Sequence, residues 1–180
     1  QTCALPICSR VAANYIYNVA AKDGSVIGNV SQGTALDQVR KEQGIQFDVA
    51  KFLWIGNPLV ANLSVTAWAP SGIRTVDDVK QKGTLICGGS GGSAPTIVQP
   101  RILANLIDAN IKVISGYKGN NDVGLAMERG ELNCLGALST SAARLLFSAQ
   151  MKENKIAFLT QFGTAKDPTV SAFVGHDVPL

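Results

Sequence analysis

The sequence predicts an α/β protein with a mainly parallel sheet covered by helices on both faces. Three observations lead there. Strand-like and helix-like runs alternate from Thr84 onward, each helix about ten residues long. Eighteen glycines punctuate the chain, several between apolar runs where strands end. Of the 180 residues, 46% are hydrophobic, enough for a core.

Charge narrows the function classes. Charged residues make up 16% of the chain, against roughly a quarter in ordinary globular domains, and the net charge is +3. The basic residues are scattered, which argues against a nucleic-acid partner. Asn57, Pro58, Asn62 and Ser64 interrupt the longest apolar candidate, so no run reaches the roughly 18 residues of a membrane-spanning helix.

Residues 1–8 read as a non-native leader. Gln1–Ile7 looks like the translated read-through of a sequencing adapter, and a signal peptide would need a basic start and a longer apolar stretch. The chain is then expected to be an internal piece.

Ser9 is placed to cap a helix with Ala12, Ile16, Val19 and Ala20 on one face, and Asp23-Gly24 turns the chain toward a strand at 25–30. Ser31-Gln32-Gly33-Thr34 leads into a helix carrying Leu36 and Val39, with Gly44 as its left-handed cap. Strand-like runs follow at 52–56 and 63–69. Pro70-Ser71-Gly72 marks the expected boundary between a first lobe, 9–69, and a second, 70–180. Thr75 and Asp78 have capping-box spacing, which predicts a helix to about Lys82. The alternation then runs strand 84–87, helix 95–107, strand 111–115, helix 121–129, strand 132–137, helix 140–152 and strand 155–160. Ligands of such sheets bind at the carboxyl ends of the strands, here after Val30, Cys87, Ser115 and Ala137.

Cys87 and Cys134 lie in apolar strand-like runs and read as two buried, inert thiols. A disulfide would need their Cα atoms within about 7 Å. With one histidine, His176, and no CxxC pair, no metal site and no organic cofactor are implied. Met127 and Leu125 read as core, and Trp54 and Trp68 as partly buried packing residues.

The run Gly88-Gly89-Ser90-Gly91-Gly92-Ser93-Ala94-Pro95 follows a strand and opens a helix. Backbone N–H groups, two hydroxyls and the helix dipole suit an anion there, either carboxylate or phosphate. Read as Gly89-x-Gly91-x-x-Ala94 it approaches a dinucleotide fingerprint, but no acidic residue ends the next strand, and no Gly-Lys-Ser/Thr closes a P-loop. Read as Gly88-x-Ser90-x-Gly92 it is a nucleophile elbow, with Asp167 and His176 following in hydrolase order. Gly91, Gly92 and Pro95 delay the helix beyond what an elbow needs. Tyr117 and Lys118 follow the next strand and could reach a bound anion.

The string Gly116-Tyr117-Lys118-Gly119, followed by Leu125-Ala126-Met127-Glu128-Arg129-Gly130-Glu131, resembles the substrate-binding proteins of the tripartite tricarboxylate transporter family, the Bug receptors. Ala20-Ala21-Lys22-Asp23-Gly24, Phe47-Asp48, Lys51-Phe52-x-Trp54-Ile55-Gly56 and Asp177-Val178-Pro179 match in order and spacing. The resemblance implies a two-lobed periplasmic binding protein with its first lobe incomplete, a small organic carboxylate as ligand, and membrane subunits of a transporter as partners. It points to Ser31, Gln32 and Gly33 in the first lobe. In the second it points to Ser90, Gly91, Gly92, Ser93, Tyr117, Lys118, Gly119, Ser139 and Thr140. Many relatives carry an acidic or aromatic residue near 137–139, where this chain has Ala-Leu-Ser. The alternative reading is an esterase of α/β-hydrolase type with Ser90 as nucleophile.

Overall fold

The structure is a computed structural model that describes residues 9–31, 33–57, 61–91 and 94–180. The expected leader, together with Gln32, Gly92 and Ser93 of the expected site, lies outside the described residues. The chain forms two compact units, Gln1–Pro58 and Leu59–Leu180.

The first unit holds helices α1 (Ser9–Asn18) and α2 (Thr34–Val39) and a single 3-10 turn at Val49–Lys51. The run at 25–30 is irregular, not a strand: Asp23 turns the chain by accepting from the Ser25 N–H and hydroxyl, and Ile27 is exposed. A strand needs a ladder partner, and the described residues of this unit supply none. Residues 52–56 are also not a strand. Phe52 packs edge-on against Tyr17 and Trp54 instead, and the Trp54 indole donates to the Val49 carbonyl while its ring stays exposed. On α2 the expected apolar face is the outer one, because Leu36 and Val39 are exposed while Thr34 and Asp37 are buried. Arg10 faces Asp37 at 3.6 Å. Gly44 has φ of +85° but lies beyond the end of α2, whose cap is Arg40.

The second unit is built on one five-stranded sheet: β1 (Leu63–Trp68), β2 (Leu85–Gly89), β3 (Ile111–Ser115), β4 (Cys134–Leu138) and β5 (Ile156–Phe162), in the order β3-β2-β4-β1-β5. Helices α3 (Val76–Lys82), α4 (Pro95–Ile107), α5 (Asn120–Glu128), α6 (Thr140–Leu146), α7 (Ser148–Lys152) and α8 (Pro168–Val174) surround it. The α4 and β3 ranges are those expected. The helix expected over 140–152 is two, broken at Phe147.

β2 pairs in parallel with β3 and β4, but β1 runs antiparallel to both its neighbours, β4 and β5. The sheet is therefore mixed, and β1, read from the sequence as the end of the first lobe, lies between β4 and β5 in the second unit's sheet. Each face has its own core. On one, Val123, Met127 and Val170 from the helices and Phe147 from the break between α6 and α7 meet Leu135, Leu138 and Phe158; on the other, Val79 and Leu103 meet Val65, Leu85 and Leu159. Leu125, expected in the core, is about half exposed. Thr75 and Asp78 form the expected capping box at the start of α3.

Cys87 and Cys134 are not free thiols. They are register partners on β2 and β4, with Cα atoms 4.2 Å apart, and form a disulfide. Two strand-borne cysteines far apart in sequence meet only through pairing order, which spacing along the chain does not reveal.

Candidate functional site

Because β2, β3 and β4 are adjacent and parallel, the loops that follow them emerge at one edge of the sheet, each leading into a helix N-terminus: α4, α5 and α6. The first-turn N–H groups of a helix lack intrahelical acceptors and carry the positive end of its dipole.

The loop after β3 is pinned to the end of β2. The N–H groups of Gly116 and Tyr117 both donate to the Gly89 carbonyl, at 3.1 and 3.2 Å, so the β3 loop is laid over the end of β2. The Ser90 N–H donates to Thr96 Oγ1 at 3.3 Å, and Ala94 N–H closes the turn onto Gly91. Gly91 has φ of +127° with open space where a Cβ would stand, so backbone conformation requires glycine there. Gly88 and Gly89, expected in the ligand loop, belong instead to β2. A Cβ on Gly88 would lie 2.5 Å from Leu132 and 3.0 Å from Val123 of α5, and one on Gly89 2.6 Å from Ile97 of α4, so side-chain packing calls for glycine at both.

Ser90 and Lys118 are exposed and Tyr117 is half-buried. Among the described residues no carboxylate forms an ion pair with Lys118, whose N–H donates to Asp122. Gly119 is extended backbone ahead of α5. Ser139 is buried and already engaged: its Oγ accepts from the Ala142 N–H at 3.2 Å and shares a hydrogen bond with Ser141 Oγ, which makes it the cap of α6. Thr140 stands half-buried beside it. In the first unit, Ser31 Oγ accepts from Gly33 N–H just before α2.

Sequence reasoning missed Asn62 and Gln161. Since β1 runs backward, its start pairs with the end of β5, Leu63 opposite Phe162, and both residues stand at the same sheet edge as the loops. Asn62 Nδ2 donates to Gln161 Oε1 at 2.8 Å, and Gln161 also accepts from Asp167 N–H and donates to the Val178 carbonyl. A polar residue ahead of an apolar strand was the available signal, legible only once that strand's direction is known.

The elbow reading finds no relay among the described residues. Asp167 caps α8, and the hydroxyl and then the N–H of Thr169 hold its carboxyl below the usual carboxylate range. The exposed His176 ring lies against the Val174 carbonyl. No hydrogen bond joins Ser90, Asp167 and His176 among those described.

No family profile matches this sequence, and no curated protein matches it. Solved structures do. The chain is similar to the periplasmic binding protein BugD, with a TM-score of 0.50 at 14% identity, over 66% of this chain and 38% of that one. It is similar to Rpa4515 of R. palustris, solved with adipate, with a TM-score of 0.50 at 14% identity, over 63% of this chain and 38% of that one. This chain thus spans 38% of the length of either. The chain, with its mixed sheet sheathed by helices, has over the matched 66% of its length the fold of part of a periplasmic binding protein of the BugD kind.

Proposed function

We propose that the chain is part of a solute-binding receptor that captures a small organic carboxylate in the periplasm and delivers it to the membrane subunits of a tripartite tricarboxylate-type transporter. The observation that carries this reading is the convergence of three helix N-termini at the carboxyl ends of β3, β2 and β4, in a fold shared with a protein solved with adipate.

The proposed chemistry is replacement of water around a carboxylate. The Thr96 N–H of α4, the first-turn N–H groups of α5, the hydroxyls of Ser90 and Ser93, and the Tyr117 and Lys118 side chains supply donors and positive charge, with Gly91, Gly92 and Gly119 letting the ligand approach the backbone. Such donors offset a desolvation cost of about several kcal/mol for a buried ion. Ser139 contributes by fixing α6, with Thr140 presented at that helix's first turn. The loop Ser31-Gln32-Gly33 ahead of α2 is the proposed contribution of the first unit.

A thermal-shift screen of mono-, di- and tricarboxylates, adipate among them, tests the reading beside an ester-hydrolysis assay. Stabilisation by a carboxylate and no turnover is expected, and Ser90→Ala should weaken binding by about 1.5–3 kcal/mol, the range for hydrogen bonds to charged groups. Hydrolysis that disappears in Ser90→Ala, with binding kept, would establish the esterase instead.

A further inference from the structure

The sheet is unevenly sewn. β2 is laddered to β3 along its whole length, from Leu85 opposite Ile111 to Gly89 opposite Ser115. Its register with β4 is Cys87 opposite Cys134 and Gly88 opposite Leu135. Away from the loops, Asn133 clips the two strands, its side chain accepting from Ile86 N–H at 2.6 Å and donating to the Thr84 carbonyl at 3.1 Å. On the loop side of the disulfide, one helical residue rests on both strands. A Cβ on Gly89 would lie 2.9 Å from Thr96 Oγ1 and 3.0 Å from the Thr96 carbonyl, and a Cβ on Gly136 would overlap that same carbonyl. Thr96 Oγ1 in turn accepts from Ser90 N–H. Thr96 thus touches both strands and the Ser90 N–H, and the covalent bond that joins β2 to β4 lies next to Gly88, with Gly89 and Gly136 each two residues from one of its cysteines.

We propose that the Cys87–Cys134 disulfide is a conformational tie that holds the seat of Thr96, and with it the first turn of α4 and the loop at Ser90, in one geometry. The dithiol form lets β2 and β4 spread at this end and loosens both. Formation removes one proton from each thiol and passes two electrons to a protein disulfide of the thiol–disulfide exchange class, which leaves as a dithiol. Both cysteines are fully buried, so exchange takes place on a chain not yet closed, and the finished bond is shielded from dissolved reductants. The consequence for ligand affinity rests on the function proposed above; the effect on the loops does not.

The test uses the full chain without ligand. Denaturing alkylation followed by peptide mapping should recover a linked 87–134 peptide, and two alkylated cysteines there would overturn the proposal. Hydrogen exchange then compares the oxidised protein with a Cys87→Ala, Cys134→Ala double variant. Amides over residues 88–91, 96–98 and 136–142 should exchange at least about tenfold faster, while those of Val65–Trp68 and Ile156–Phe162 keep their rates. No change, or an equal change throughout the sheet, would overturn it. Should the double variant not fold, wild type refolded under dithiothreitol gives the same comparison with both sulfurs present. A chain that folds in neither form also overturns the local tie, since the bond would then hold the whole unit. Thermal shift with adipate is read separately: failure of every carboxylate to bind would sink the proposed function and leave the exchange result standing.

Discussion

The first unit is held by polar side chains reaching backbone, the second by apolar faces meeting across a sheet. In the first, Asn14 binds Gly44 and Gln46, Asn18 reaches Gln46, Arg10 reaches Gln43 and Lys22 reaches Ile16 and Tyr17, while Ala13, Ala20 and Phe47 are its buried apolar residues among those described. In the second, Phe158, Leu135, Val123 and Met127 are nearly or fully inaccessible on one face, as are Val65, Val79 and Leu85 on the other. A hydrogen bond contributes about 0.5–1.5 kcal/mol net, whereas fully burying a large apolar side chain contributes about 1.5–3 kcal/mol. The same chain therefore contains one region tied by exposed hydrogen bonds between residues 28–33 positions apart and another specified by burial.

The largest expected effect is in the second unit. Phe158→Ala should cost about 3–5 kcal/mol, because the ring is 1% exposed and packs edge-on against Phe173. Denaturant unfolding followed by tyrosine and tryptophan fluorescence measures it; a loss below 1 kcal/mol would mean that this face is not a consolidated core. Gly88→Ala comes next, at about 1–3 kcal/mol, since the new methyl meets both Leu132 and Val123 and must displace them. Neutral behaviour would show that α5 is not seated on β2 as described.

The comparison also separates what was legible from what was not. Helix α4 and strand β3 were readable, because Pro95 opens the helix and β-branched residues fill the strand, and both signals are local. The capping box of α3 was readable for the same reason. The strands expected at 25–30 and 52–56 failed because apolar residues also serve an exposed loop and an aromatic cluster, and only a ladder partner makes a strand. The reversal of β1 and the disulfide are both consequences of pairing order, which alternation along the chain does not carry. At the candidate site, the loops were found through their place after strands. Gly88 and Gly89 were read as the start of the loop, whereas they end β2 with Leu132 and Ile97 as neighbours.

Smaller effects sharpen the contrast from the other side. Asn14→Ala should cost about 1 kcal/mol and act locally, loosening amides near Gln46, since Asn14 both donates to Gly44 and accepts from Gln46 N–H. Exchange at Gln46 unchanged in this variant would remove the side chain from the account of what orders the first unit. Least in size is the pH effect at α3. Lys82, then the Arg74 N–H and the Thr75 hydroxyl, hold the Asp78 carboxyl below the usual carboxylate range. A carboxylate depressed on folding contributes stability above its unfolded pKa near 3.8 and loses it as pH falls through the folded value. The amides of Arg74 and Thr75 should therefore lose protection only in strong acid, and in Asp78→Asn that step should vanish. Early loss near pH 5 would contradict the capping box.

The backward strand in the middle of the sheet has a consequence in time. β1 is the first strand of its unit to be synthesised, yet both of its neighbours come late: β4 after two intervening strands, and β5 later still, with Asn62 bound to Gln161, 99 residues on. Pairings so distant in sequence are slow to form because the loop must be closed before any contact rewards it. Until β5 emerges, β1 is an apolar strand of high aggregation hazard with one edge open. The backward strand therefore gains its second neighbour only when the chain has been made as far as Phe162.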